Sequence, residues 1–279
     1  MESGGAAGIE RRSEDDPSLL VVVIDTNPFA WAKRTNAGSS SASDGEPVLI
    51  DLHTFLEHMS VFLKAFMMLH AHNLLAVIAS HVTESRYLFP PTGEDVAKEE
   101  LKHKMHNFEF IKTHIHNGLL RLAQEPVPSE NQESKFSAAL SLALCHINRL
   151  KTEHSGAGNL SARLLVVQVS PDVSAQYIPI MNCIFSAQKQ NIPVDSCILS
   201  SHESTFLQQA AHLTDGIYLK PSRQDGLLQY LLSTFIVDCY SRRFLYLPRQ
   251  TDVDYRASCF CHKKVIDMGY VCSVCLSST

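Results

Sequence analysis

The sequence predicts an α/β fold: a mostly parallel sheet with helices on both faces, followed by a small C-terminal module that binds a metal. Three observations lead there. Leu19–Ile24 is a continuous apolar run rich in β-branched residues, the signature of a strand buried on both faces. Runs of that kind alternate with helical periodicity along most of the chain, which implies crossover connections. The last segment then carries two close cysteine pairs.

Of the 279 residues, 45% are hydrophobic, enough to bury a sizeable core, and the net charge of -5 offers no global field to nucleic acid or anionic lipid. No apolar run reaches membrane-spanning length. Residues 1–17 lack the apolar core of a secretory signal and read as a disordered tail. The remainder divides into an α/β body over 18–238, a connector over 239–256 and a C4-type module over 257–279.

The first strand ends Asp25-Thr26-Asn27-Pro28-Phe29. Thr35–Pro47, rich in Ser, Gly and Ala, reads as a loop. From Val48 to His70, Leu49, Leu52, Leu56, Met59, Leu63 and Phe66 share one helical face. Leu74–His81 reads as a second buried strand, and Tyr87–Phe89 as an edge strand stopped by Pro90-Pro91. Residues 90–134 read as a polar, His-rich insertion, helical near Asn107–Gln124. Its His103, His106, His114 and His116 read as surface residues, since no cysteine or carboxylate joins them. Ser134–Leu150 is an amphipathic helix. Gly156 and Gly158 precede a strand, the wrong context for a dinucleotide loop. Strands over Arg163–Ser170, Pro193–Ser200 and Gly216–Lys220 alternate with helices over Val173–Gln190, Ser204–Leu213 and Gln224–Val237.

Eight cysteines are present. Cys145, Cys183, Cys197 and Cys239 are single and read as buried, reduced thiols. Cys259-x-Cys261 and Cys272-x-x-Cys275 supply four thiolates for one tetrahedral Zn²⁺, with a closed shell and a structural role. A module this small gains its folding energy from the metal. His262 is a second choice of ligand, and an iron–sulfur cluster the weaker alternative for the same donors. Lys263 and Lys264 are a poor footprint for DNA.

Asp25 falls at the carboxyl end of the first strand, where open α/β sheets bind ligands. A von Willebrand A-type cation site would need serines where Asn27 and Phe29 stand. Ser134 falls where its threonine is expected, and Gln168 and Val169 replace its Thr-Asp, with Asp172 displaced. One carboxylate is too little for a hard cation, so no Mg²⁺ is expected there. The alternative is a metal-dependent PIN-like nuclease or a phosphatase using Asp25. Glu57, Asp172 and Asp195 are then available by type, but Asn27 replaces the second Asp that a haloacid-dehalogenase-like phosphotransferase needs. The reading preferred here is that Asp25 and Asn27 hydrogen-bond the turn and nearby helix starts.

Four blocks carry a family resemblance: Leu20–Pro28; Leu75–His81 with Glu84-Ser85-Arg86; Phe185–Ile192; and Val253–Cys261 running through Gly269–Leu276. In this order they resemble the smaller von Willebrand A-like subunit of the general transcription and DNA-repair factor TFIIH. The resemblance covers Leu19–Leu276 apart from the insertion, and implies a von Willebrand A-like body. It also implies a non-catalytic, nuclear subunit of the TFIIH core, acting in RNA polymerase II initiation and nucleotide excision repair. The implied partner is the larger von Willebrand A-like subunit, whose C-terminal zinc domain docks on this one. DNA association would run through the complex, without a membrane, and helicase and translocase activities belong to other subunits. The family's zinc ligands fall on Cys259, Cys261, Cys272 and Cys275. Family members continue with further cysteines, so the module reads as shortened at Thr279.

Overall fold

Six strands form one sheet in the order β3-β2-β1-β4-β5-β6. They are β1 (Ser18–Asp25), β2 (Leu74–Ser80), β3 (Ser85–Phe89), β4 (Ser161–Gln168), β5 (Val194–Ile198) and β6 (Tyr218–Leu219). The computed structural model describes residues 17–40, 49–91, 107–127, 132–154 and 160–248, with 253, 257–258, 265–266 and 270; the expected N-terminal tail lies outside the described residues. All eight residues of β1 are buried, because parallel neighbours flank it: Val21 pairs with Ala76 of β2 and with Leu164 of β4. Only β3 is antiparallel; the short link from Ser80 to Ser85 has no room for a crossover. This is a doubly wound sheet whose order reverses at β1, as expected for the α/β body.

Alternate side chains of β1 feed two cores. Leu20, Val22 and Ile24 face one layer: α1 (Pro28–Ser40), α2 (Leu52–Leu69), α3 (Phe108–Gln124) and α7 (Leu227–Tyr230). Leu19, Val21 and Val23 face the other: α4 (Phe136–His154), α5 (Tyr177–Lys189) and α6 (Thr205–Leu213). Of the predicted α2 stripe, Met59, Leu63 and Phe66 are buried and Leu52 and Leu56 partly buried, while Leu49 precedes the helix; Phe55 and Phe62, beside that stripe, are fully buried.

Several boundaries differ from expectation. Helix α1 occupies residues expected to begin a loop at Thr35. Asn27 caps it, its Oδ1 accepting from the backbone N–H of Phe29 (3.0 Å) and Ala30 (3.4 Å), with Pro28 at the first helical position. Trp31 then anchors the helix by donating Nε1–H to the Asp25 carbonyl at 2.9 Å and stacking on Phe55. Helix α2 starts at Leu52 rather than Val48 because Asp51 caps it, accepting from Thr54 N–H. The insertion contributes α3 to a core layer, through buried Ile111 and Leu122, after Asn107 caps its start. The last predicted helix is four residues of α7 that widen into a π turn over Leu231–Phe235. There Arg163 takes the carbonyls of Phe235, Ile236 and Val237, which replaces a regular helical end. Residues 241–244 form a single 3₁₀ turn in the connector. Gly216 has no alternative at its position: an added Cβ would lie 2.0 Å from the Val194 carbonyl oxygen.

His146 of α4 is buried against Tyr87, and burial together with Arg149 holds its imidazole down to about 4. The unfolded chain takes up this proton near pH 6.5, the native state only near 4. Stability is therefore full above 6.5 and is lost as pH falls towards 4, by roughly 3 kcal/mol at most. Urea unfolding at pH 7 and pH 4.5 should show this slope, and His146→Gln should flatten it.

Candidate functional site

The carboxyl ends of β1 and β4 meet the loops before α4 and α5, and Asp25 sits where they converge. Its carboxylate is 1% exposed and accepts four hydrogen bonds. Asn27 N–H (3.2 Å) and the Ser134 hydroxyl (2.8 Å) reach Oδ1; Val169 N–H (3.1 Å) and Ser170 N–H (2.6 Å) reach Oδ2. A carboxylate offers about four acceptor positions, so the protein's own donors occupy them. A cation here would have to displace buried N–H groups, each costly to leave unpaired.

The surrounding bonds hold this arrangement. Ser134 and Ser170 hydroxyls lie 3.2 Å apart, and Gln176 donates to the Ser134 carbonyl at 2.6 Å. Asn27 donates Nδ2–H to the Gln132 carbonyl at 2.8 Å, while Thr26 N–H ties β1 to the Ser80 carbonyl at 2.9 Å. Ser134 thus stands beside Asp25 as placed from sequence, but it serves as a donor to the carboxylate. Ser170 and the Val169 amide were not singled out as partners. Their contribution is mainly backbone N–H, which every residue carries, so side-chain type left no signal.

The other carboxylates considered for chemistry do not join Asp25. Asp172 accepts from Gln168 (3.0 Å), Ser204 (2.7 Å), Thr205 (3.3 Å) and the Phe206 N–H (3.2 Å), which makes it an anchor for the start of α6. The cavity bordered by Asp25 and Asp172 is about 20 Å³, room for one water molecule. Asp195 pairs in register with Leu165, three residues short of the end of β4, roughly 10 Å below the level of Asp25. It is bound there by Arg242 (2.8 and 2.5 Å) and Ile217 N–H (2.9 Å). Glu57 is exposed on α2 beside His53.

A cleft of about 820 Å³ opens next to the Asp25 cluster, bordered by Asn27, Lys33, Asp172, Ser200 and His202. Arg34 lines it too, but its guanidinium is turned inward onto the Leu199 carbonyl and Gln224. His114 and His116, two apart on α3, point to different sides; His114 bonds the Phe110 carbonyl. His103 and His106 lie outside the described residues. A buried histidine that sequence reasoning passed over, His81, bonds Thr83 at 2.9 Å, and Thr83 in turn donates to Glu125 at 3.0 Å. Burial lowers the His81 imidazole, and Glu125, Asp25 and Glu84 oppose that in part. The contact ties the end of α3 to the β2–β3 turn.

Cys197 is buried, its thiol pushed up to about 12, and Cys183 is half-buried. Cys145 and Cys239 are exposed, contrary to expectation; Cys145 lies on the outward side of α4. The zinc candidates Cys259, Cys261, Cys272 and Cys275, with His262, Lys263 and Lys264, lie outside the described residues. Two short strands around the first pair are described: β7 (Ala257–Ser258) and β8 (Val265–Ile266) are antiparallel, Ser258 opposite Val265.

Comparison with known proteins follows the same outline. The chain is 42% identical over 333 aligned positions to general transcription factor IIH subunit 3 of Dictyostelium discoideum, covering 99% of this chain and 88% of that protein. It is 39% identical to the general transcription and DNA repair factor IIH subunit tfb4 of Schizosaccharomyces pombe, covering 99% and 89%. Among solved structures, the TFIIH p34 N-terminal domain is similar at TM-score 0.65 and 31% identity, covering 80% of this chain and 99% of that one. The model of the transcription factor Tfb4 family matches residues 17–278. From the residue before β1 to beyond the last cysteine pair, this chain belongs to the Tfb4 family.

Proposed function

We propose that the chain works in the general transcription and DNA repair factor IIH as a structural docking subunit and not as an enzyme. Its family makes it a TFIIH subunit, in transcription and DNA repair. The observation that supports a non-catalytic role is the Asp25 carboxylate, whose acceptor positions are filled by backbone N–H groups and a serine. The nuclease or phosphatase reading has no counterpart in the relatives named above, and Asp172 and Asp195 are engaged elsewhere. The partner we infer is the larger von Willebrand A-like subunit, through its C-terminal zinc domain, with the assembly in the nucleus. Any DNA contact then belongs to the complex. Purification of the tagged chain from nuclear extract tests this: the other core subunits should come with it in equal amounts, and recovery of a lone monomer would count against it.

The second part of the proposal is one structural Zn²⁺ held by Cys259, Cys261, Cys272 and Cys275. The donor set fits: four thiolates suit a soft, tetrahedral ion, and β7 and β8 lie on either side of the first two in sequence. The ion would tie the first cysteine pair to the second, supplying folding energy the module lacks. Elemental analysis should find one zinc per chain, and Cys272→Ser should lower it and expose the module to protease. A chain with no zinc at full loading conditions would refute the assignment.

A further inference from the structure

Long stretches of α4, α5 and α6 carry no ions. Residues 136–148, 173–188 and 204–214 contain no Asp, Glu, Lys or Arg. At the chain's average of 19% charged, three such stretches would hold several. Charge returns at their borders: Lys135, Asp172, Glu203 and Asp215 flank the helices, Arg149, Lys151 and Glu153 fill the last turns of α4, and Lys189 ends α5. The opposite layer is ordinary: Glu57, Lys64, Glu109, Lys112 and Arg121 are exposed on α2 and α3. On this layer, Ile178 and Phe185 stand 41% and 52% exposed, about two turns apart on α5, with exposed Asn182 between them. Small groups close the α4–α5 seam beside them: the Ser141 hydroxyl lies 3.2 Å from Cys183 Sγ. The two helices therefore present one continuous platform.

From this we infer that the α4–α5–α6 face, centred on Phe185 and Ile178, is the surface by which this chain docks on another protein subunit of its complex. The inference rests on the chain being a TFIIH subunit and adds where it is gripped. Depletion of charge around large apolar anchors marks the centre of a protein interface. The chemistry of the occupant follows from complementarity. DNA phosphates and anionic lipid find no cluster of cations at its centre, only Lys189 one turn beyond Phe185 at its edge. A charged protein surface would lose solvent against a face whose centre offers no counter-ion. The occupant is a neutral protein surface of apolar and uncharged polar side chains.

The test uses the full chain, tagged and recovered from nuclear extract. Phe185→Asp and Asn182→Arg each place a charge on the platform; the second removes no packing, so it folds even where the first is strained. Met68→Asp, at a position 75% exposed on the opposite layer, is the control. Both platform variants should recover at least about tenfold less of the other subunits at unchanged thermal midpoint, with the control at wild-type level. Full recovery by Asn182→Arg, or equal loss in Met68→Asp, would overturn the placement while leaving subunit membership intact. If the wild-type chain recovers no subunit, membership fails and the inference with it. A purified chain that is dimeric, and made monomeric by Asn182→Arg, would assign the face to a second copy and overturn the inference.

Discussion

Replacing Asp25 by alanine lowers the folding free energy by about 4 kcal/mol. Three backbone N–H groups and the Ser134 hydroxyl lose their acceptor together, in a site with no room to hydrate all of them. Each buried donor left unpaired costs about 1–3 kcal/mol, and water entering the vacated volume recovers part of the sum. Asp25→Asn is no conservative escape, because its amide would turn N–H against N–H. Both variants should shift the urea midpoint strongly at an unchanged slope. If Asp25 instead belonged to a cation site, Asp25→Asn would spare or raise stability and remove metal binding alone. The two readings thus predict stability changes of opposite sign for one substitution.

The second large effect lies lower in the sheet. Asp195, 1% exposed, receives both guanidinium nitrogens of Arg242, with Arg163 close by and bound to the carbonyls of residues 235–237. The Arg163 guanidinium is held down by its burial, and Asp195 offsets that by favouring its charge. Asp195→Ala would leave two buried cations without their carboxylate and should cost about 3–5 kcal/mol. Removing Arg242 as well, in Asp195→Leu with Arg242→Met, should recover a good part of that loss, since a well-packed apolar pair often matches a buried ion pair. A double variant no better than the single would show that the arginine is not the source of the penalty. This network also explains why the chain after α7 does not continue as a helix. Its carbonyls are taken by Arg163, and its next turn delivers Arg242 to Asp195.

Where side-chain pattern determined the structure, the sequence read clearly. β1 showed as Val21-Val22-Val23-Ile24, and its burial on both faces follows from that run. The α2 stripe showed as Leu52, Leu56, Met59, Leu63 and Phe66, buried or partly buried in the helix. Where backbone groups or distant partners decided, it did not. Helix α1 depends on Asn27 capping a turn that the Ser- and Gly-rich residues after it disguise. The π turn depends on an arginine 72 or more residues earlier. Asp25 was legible as the focus of the site and Ser134 as its neighbour, but the amides of Val169 and Ser170 carry no residue-type signal. The three uncharged stretches are written plainly in the sequence, yet only the fold shows that they lie side by side.

The central claim is that Asp25 is an internal acceptor whose oxygens the protein itself has filled. Thermal unfolding of the purified chain with and without saturating Mn²⁺ or Mg²⁺ tests it most directly. A cation bound at 100 times its dissociation constant would stabilise the native state by about 2.7 kcal/mol. The account predicts no cation-dependent rise in the midpoint for wild-type chain. A rise that disappears in Asp25→Asn would contradict it.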